Sequence, residues 1–211
     1  MTVPRGRHAP PLEVRLNVQR QRLFEAAARV FSKVGYADAS AEAISKEAGM
    51  SKATFYEHFA NKEECILALV DTAGQASRMA IAAAASSTED DFEAKVHARV
   101  HAFLAGLALF PEMAHVVMVD VIGVGPIGAT KRDSMLQAFA DFLVAENVRA
   151  HEGYGAPRFR TPDDAYAIVG GIMELASRQI RTGVPADIRE LEPVIERMVA
   201  GVLEQGFVRD F

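Results

Sequence analysis

Gly35-Tyr36, followed after three residues by Ser40-Ala41-Glu42-Ala43-Ile44-Ser45-Lys46-Glu47-Ala48-Gly49-Met50-Ser51-Lys52-Ala53-Thr54-Phe55-Tyr56-Glu57-His58-Phe59-Ala60-Asn61-Lys62, is the stretch that decides the class of this chain. Upstream of it, Leu16, Leu23, Ala27, Val30, Phe31 and Val34 recur at spacings of three, four and seven, which is one face of a helix. Gly35 is placed to end that helix in a left-handed conformation. Ser40 is a cap for a short second helix that turns Ile44 and Ala48 inward, and Gly49 ends it. Ser51 caps a third helix over residues 52–58 that buries Phe55 and Phe59. Asn61, with Glu64 three residues on, opens a long fourth helix through a capping-box-like pair. Three short helices with a glycine turn between the second and third form a helix-turn-helix pattern, whose last helix enters the DNA major groove. On spacing alone, the end of an ordinary helical bundle reads the same way.

The residues themselves are more specific. Gly35-Tyr36, Ser40, Ile44-Ser45, Ala48-Gly49, Ser51-Lys52-Ala53-Thr54-Phe55-Tyr56-Glu57-His58-Phe59 and Lys62 resemble the N-terminal signature of the tetracycline-repressor (TetR) family over roughly residues 16–67. The remaining two thirds agrees with that family only in helical organisation and length. The resemblance implies sequence-specific binding of double-stranded DNA at a palindromic operator by a homodimer, usually repression, relieved by a small-molecule effector. It makes Lys52, Ala53 and Thr54 base-reading candidates and Tyr56, His58 and Lys62 backbone clamps, with Ser40 and Ser51 at the caps in the same interface.

Elementary chemistry agrees. With Phe55 and Phe59 inward, Ala53, Thr54, Tyr56 and Glu57 lie on other faces. A threonine hydroxyl can hydrogen-bond a base edge while its methyl meets a thymine methyl. A tyrosine hydroxyl and lysine ammonium groups suit phosphates, and Lys62 stands at a helix N-terminus. His58 reads equally well as a buried structural histidine; for Tyr56 a ring packed on the first helix is the lesser alternative. Glu42 stands where relatives are often basic or polar, and it repels phosphate. Ser45 replaces the usual alanine.

Charge is distributed to match. The chain of 211 residues has a formal net charge of -5, but residues 1–63 carry a net +3 and the remainder a net -8, a basic front on an acidic body. Residues 1–15 read as a flexible basic arm carrying Arg5 and Arg7, more simply a solvated tail than a minor-groove reader. The helix-turn-helix domain then spans 16–62 and a ligand-binding and dimerisation domain 63–211. The single cysteine, Cys65, fits a reducing cytoplasm. No apolar run approaches the ~18 residues of a membrane span, so no membrane partner is expected.

The second domain reads as helices throughout, which makes the fold class all-α: an N-terminal three-helix DNA-binding domain plus a C-terminal helical bundle. Thr88, before Glu89, Asp90 and Asp91, reads as the cap of a helix carrying Val96, Val100, Phe103, Leu104 and Leu107. The segment from Met113 to Ile122 has strand-like composition but no partner strand, and reads as a buried helix. Glycines 123, 125 and 128 suggest a gate or a turn. Thr161-Pro162-Asp163-Asp164 is a strong helix start, and two final helices, 163–182 and 188–207, follow. A two-fold dimer is expected through their seams: Ala165, Ile168, Ile172, Leu175, Gln179 and Ile180 on one, Leu191, Val194, Ile195, Met198, Val202 and Leu203 on the other, with Gly170-Gly171 allowing close approach.

Large adaptable side chains on several segments predict an apolar effector pocket, with Phe103, Leu107, Met113, His115, Met118, Phe139, Phe142 and Met173 as contacts and Phe110 and Val117 beside them. His101, His115, Asp120 and Glu174 are the polar candidates; Asp120, in an apolar run, needs a partner such as Arg132. The implied ligand is hydrophobic or amphipathic rather than a sugar phosphate or nucleotide, because this half lacks a basic cluster. His97 and His101 lie four apart, with His115 one helix later. That spacing suits a metal pair, but no Glu-x-x-His pair or second cysteine joins them, so the expectation is no metal and no cofactor, with the histidines edging a pocket. No nucleophile elbow, P-loop or dinucleotide-binding glycine pattern appears, so no enzyme is expected. A helical protein-binding module, or an activator on the same fold, stays open at this point.

Overall fold

The computed structural model describes residues 11–88 and 91–204, all of whose regular elements are helical. The basic arm with Arg5 and Arg7 lies outside the described residues.

Helix α1 (Leu12–Asp38) is interrupted at Gly35, whose φ of 77° breaks the helical run where the sequence placed its end. It starts at Leu12, inside the segment read as arm. Helices α2 (Ala41–Glu47) and α3 (Lys52–His58) are joined through Gly49 at φ 64°. Their caps follow the local chemistry: Ser40 Oγ accepts from Ala43 N–H at 3.1 Å and Ser51 Oγ from Thr54 N–H at 3.0 Å. Leu23, Ala27, Phe31, Ile44, Phe55 and Phe59 are buried together. Each such phenylalanine contributes about 1.5–3 kcal/mol on leaving water, which offsets the poor intrinsic stability of two seven-residue helices.

Helix α4 (Lys62–Ser86) begins at Asn61, whose side chain accepts from Glu64 N–H at 2.8 Å, while Glu64 accepts from Ala60 N–H at 2.6 Å. Cys65 lies wholly inside, and burial pushes its thiol up to about 12, so it is protonated and inert at neutral pH. Helix α5 (Phe92–Leu109) is capped by Asp91, which accepts from Ala94 N–H, rather than by Thr88, whose hydroxyl instead donates to Ala85 O behind it.

Helix α6 (Pro111–Met118) turns 104° from α5. It is shorter than the helix expected over Met113 to Ile122. Val119 leaves helical geometry, and Asp120–Val124 forms a 3-10 turn. Helix α7 (Pro126–Tyr154) then starts within the expected glycine break and takes in Gly128; Gly155 ends it in the left-handed conformation. Helix α8 (Pro162–Thr182) starts where Thr161-Pro162-Asp163-Asp164 placed it, and Thr161 with Asp164 forms a capping box there. A 3-10 turn (Ile188–Leu191) leads into α9 (Glu192–Glu204). Among the described residues no single helix is long and apolar enough to cross a membrane.

One apolar core runs from the three-helix unit into the bundle through α4, α6, α7 and α8, and a second joins α5 to α8 and α9. The dimer seams divide accordingly. Ala165, Ile168, Leu191 and Ile195 are buried within this chain's own core, while Ile172, Leu175, Gln179, Ile180, Met198, Val202 and Leu203 are half-buried and Val194 is exposed. The close approach at Gly171 is to Met198 of α9 in the same chain, whose sulfur would lie 2.9 Å from an added Cβ; at Gly170 a Cβ would meet open space. Periodicity identified apolar faces but not which ones α8 and α9 turn toward each other.

Candidate nucleic-acid interface and effector cavity

Helix α3 is held by its inner side. Phe55 stacks edge-on to Tyr56 and packs against Phe59, with Phe59 in turn on Phe24 of α1. Arg20 lies over the Phe24 and Phe59 rings at 5.3 and 5.1 Å. Arg22 donates to Ala48 O at 2.8 Å and Arg29 pairs with Glu47 at 2.6 Å, so α1 grips the end of α2 and the turn into α3. The sequence reading missed these two arginines; their partners lie 26 and 18 residues away and leave no local signal.

The outer side is free. Lys52, Ala53, Tyr56 and Glu57 are exposed, and Tyr56 is 51% accessible. Thr54 is half-buried, and its hydroxyl lies 2.9 Å from Ser51 Oγ. Lys52 sits 3.8 Å from Glu42, an exposed pair of little net strength.

Two of the expected clamps are engaged inside the protein. His58 is 3.3 Å from Gln19 of α1, and burial first, then the charge of Arg20, lowers its basicity, which favours the neutral ring. Lys62 directs all three ammonium hydrogens to carbonyls, Tyr36 O at 2.7 Å and Ala37 O and Ala39 O at 2.9 Å, over the Tyr36 ring at 4.6 Å. The motif gave the position of Lys62 but not its direction. The lysine closes the joint between α1 and α2.

Behind this unit are two adjoining cavities that share Phe103, Phe139 and Met173 as walls. The larger, about 290 Å³, is lined by Leu107, Phe110, Met113, Val117 and Met118, by Thr72, Ala73, Gly74 and Ser77 of α4, and by Gln21 and Phe24 of α1. The smaller, about 110 Å³, adds Phe142, Val96, Val100, Ile195 and Val199. Seven of the eight expected contacts thus line one cavity or the other. His115 does not: its Nδ1 is 2.9 Å from Asp120, which is buried and takes this histidine, not Arg132, as partner. Burial raises the Asp120 carboxyl and His115 pulls it back down. His101 and Glu174 also line neither cavity.

The smaller cavity has a polar end that sequence reading missed. Arg99 donates to Glu146 at 2.9 Å, but its Nε is buried without a hydrogen-bond partner among the described residues, as is the nearby Tyr154 hydroxyl. Burial lowers the basicity of Arg99. Both residues also line the cavity, so two buried polar atoms without a partner lie in its wall.

The model of a family described as bacterial regulatory proteins, tetR family, matches residues 23–69. The HTH-type transcriptional regulator YerO of Bacillus subtilis is 36% identical over 52 residues, which are 25% of this chain and 18% of that protein, so the chain spans under a fifth of this relative. Among solved structures, the fatty acid degradation regulator FadR from Bacillus halodurans superposes with a TM-score of 0.77 at 19% identity, covering 90% of this chain and 96% of that one. FadR from Bacillus subtilis in complex with stearoyl-CoA gives 0.72 at 17%, covering 86% and 98%. The TetR-family regulator PfmR from Thermus thermophilus gives 0.62 at 20%, covering 87% and 100%. These likenesses extend over both the three-helix unit and the bundle and give the fold.

Proposed function

We infer, for a chain that belongs to the TetR family of bacterial regulatory proteins through its residues 23–69, that it is a DNA-binding transcriptional regulator. It acts as a homodimer on a palindromic operator, beside the chromosome in the cytoplasm, and as a repressor released by a small apolar or amphipathic ligand. The observation that carries this reading is continuity: the cavity wall includes Gln21 and Phe24, and α1 is also the helix that grips α2 and α3. A ligand that displaces α1, α4 or α6 moves the recognition helix with them. Two such helices must stand about 34–36 Å apart, or a multiple, to enter successive major grooves, so small displacements matter. The flank of α8 and α9 that its own core leaves accessible, including Tyr166 and Val194, is the proposed dimer surface.

The interface is tested at Thr54. Thr54→Ala should weaken binding to the cognate operator by about 1 kcal/mol, roughly five- to tenfold, and leave binding to random DNA unchanged. Equal loss on both, measured by fluorescence anisotropy, would remove α3 as the reading element.

The effector is proposed to be an acyl-like amphiphile. The apolar walls suit a hydrocarbon chain, and Arg99 and Tyr154 in the wall, each with a buried polar atom lacking a partner, would meet a carboxyl or carbonyl oxygen on a small rotation toward the cavity. The stearoyl-CoA bound by the Bacillus subtilis relative is of this kind in its acyl part. Medium- and long-chain fatty acids or their thioesters should raise the melting temperature and release DNA, whereas phosphorylated sugars and free nucleotides should do neither. Release by the second group alone would defeat the assignment. Coupling requires only that the ligand bind the two states unequally.

A further inference from the structure

The outer face of the cavity helix α5 carries a cluster that DNA binding and effector binding leave unused. His97 and His101 lie one turn apart on α5, and Glu192 and Glu196 lie one turn apart on α9. The two faces meet in opposite directions. His97 Nδ1 is 2.7 Å from Glu196 Oε1 and 3.9 Å from Glu192 Oε1, and His101 Nδ1 is 3.1 Å from Glu192 Oε1. The two imidazoles stack with centroids 6.0 Å apart.

We propose that this groove between α5 and α9 binds a divalent transition-metal ion, with His97, Glu192 and Glu196 as ligands and His101 holding Glu192 in place. One ligand atom from each of the three lies within 4.8 Å of the others. Metal–nitrogen and metal–oxygen bonds of about 2.0–2.2 Å in a tetrahedral site set ligand atoms roughly 3–3.6 Å apart, so small rotations of these long side chains reach it. One imidazole with two carboxylates suits a borderline ion such as zinc rather than calcium or magnesium. The two carboxylates balance the ion's charge, and Asp91 and Glu93 outweigh Arg197 along the same groove. His101 does what a supporting group does in such sites, fixing the orientation of a ligating carboxylate. The fourth position is open to water.

The sequence expectation of no metal pair for His97 and His101 rested on the missing Glu-x-x-His. The acidic half of the set comes from α9, far along the chain, where nothing local reveals it. A bound ion would fasten α5 to α9. Val96 and Arg99 of α5 and Ile195 and Val199 of α9, close to these ligands along the same two helices, line the smaller cavity, so the ion stiffens a wall of the effector site.

The test uses the full chain without a histidine tag, stripped with EDTA and titrated calorimetrically with zinc chloride near neutral pH. One ion per chain should bind, with free zinc at roughly a hundredfold excess over its Kd raising the melting temperature by about 5–10 °C. Glu196→Gln, which preserves shape, should weaken binding at least tenfold, and His97→Ala with Glu196→Gln should abolish it. His101→Ala should weaken it about tenfold, and His151→Ala should leave it unchanged. Magnesium should give no heat. Helical circular dichroism of each metal-free variant should match that of the parent. Absence of zinc binding at about 0.1 mM, or binding that survives His97→Ala with Glu196→Gln, overturns the site and leaves the four residues as ordinary ion pairs.

Discussion

Gly128→Ala should destabilise the protein by on the order of 4 kcal/mol, although glycine to alanine inside a helix ordinarily stabilises by about 0.5–1 kcal/mol. A Cβ at this position would stand 1.9 Å from Val121 O and 2.9 Å from Val124 Cβ. The first contact is with backbone, in a 3-10 turn whose Val121 is fully buried against the shared core. Neither partner can move away by changing rotamer, so either α7 or the turn must shift. The turn packs against α1, and Gly123 in it lies beside Tyr36, where a Cβ would come within 3.9 Å of the Tyr36 Cβ. A shift there reaches the joint between α1 and α2. DNA affinity should therefore fall along with stability. Gly153→Ala, in the same helix where an added Cβ meets nothing within 4 Å, is the control and should be neutral or slightly stabilising. Urea denaturation of the two variants checks the pair. Equal effects would mean that Gly128 marks only a turn.

That glycine shows where sequence reading stopped. Glycines 123, 125 and 128 were visible as a break, and a gate or a turn was the natural reading of so many together. Only packing shows that Gly128 lies inside a helix and is small because a carbonyl oxygen passes over it. The same division runs through the molecule. Ser40, Ser51, Asn61 and Thr161 were legible as caps because a cap is made within three or four residues of itself. Thr88 failed for the same local reason: Asp91 offered an equally good cap three residues later, and it holds the amide of Ala94. The apolar face of α5 was legible as periodicity, and Phe103, Phe139 and Met173 were legible as large side chains of a candidate pocket, whose walls they share. What periodicity does not encode is partner choice. The pairing of Asp120 with His115, of Arg99 with Glu146 and of His97 with Glu196 depends on how helices cross. Gln21 and Phe24, read only as parts of the first helix, turn out to wall the cavity. The proposed coupling of ligand to DNA rests on that wall, and no motif announces it.

Lys62→Ala should lower stability by about 2–3 kcal/mol, or roughly 4–12 °C in melting temperature for a chain of this size, and leave the salt dependence of DNA binding unchanged. The resemblance alone makes this lysine a phosphate clamp, and a lost phosphate contact predicts the reverse: unaltered stability and a salt slope shallower by about 0.9. The two readings thus differ in which of two independent measurements changes. The geometry favours the first. Three carbonyls, of Tyr36, Ala37 and Ala39, converge on one ammonium group just past the break at Gly35. Without the lysine they must find water, the Tyr36 ring loses its cation, and the start of α4 is released from the end of α1. Affinity for cognate and random DNA should then decline together, because the recognition helix is less firmly placed rather than stripped of a contact. Lys62→Arg sharpens the comparison. A guanidinium still meets a phosphate, but its planar fork does not match three carbonyls gathered around a single nitrogen. The arginine variant should therefore be destabilised nearly as much as the alanine variant. Full recovery of stability and affinity with arginine, together with the shallower slope for alanine, would return Lys62 to the DNA backbone.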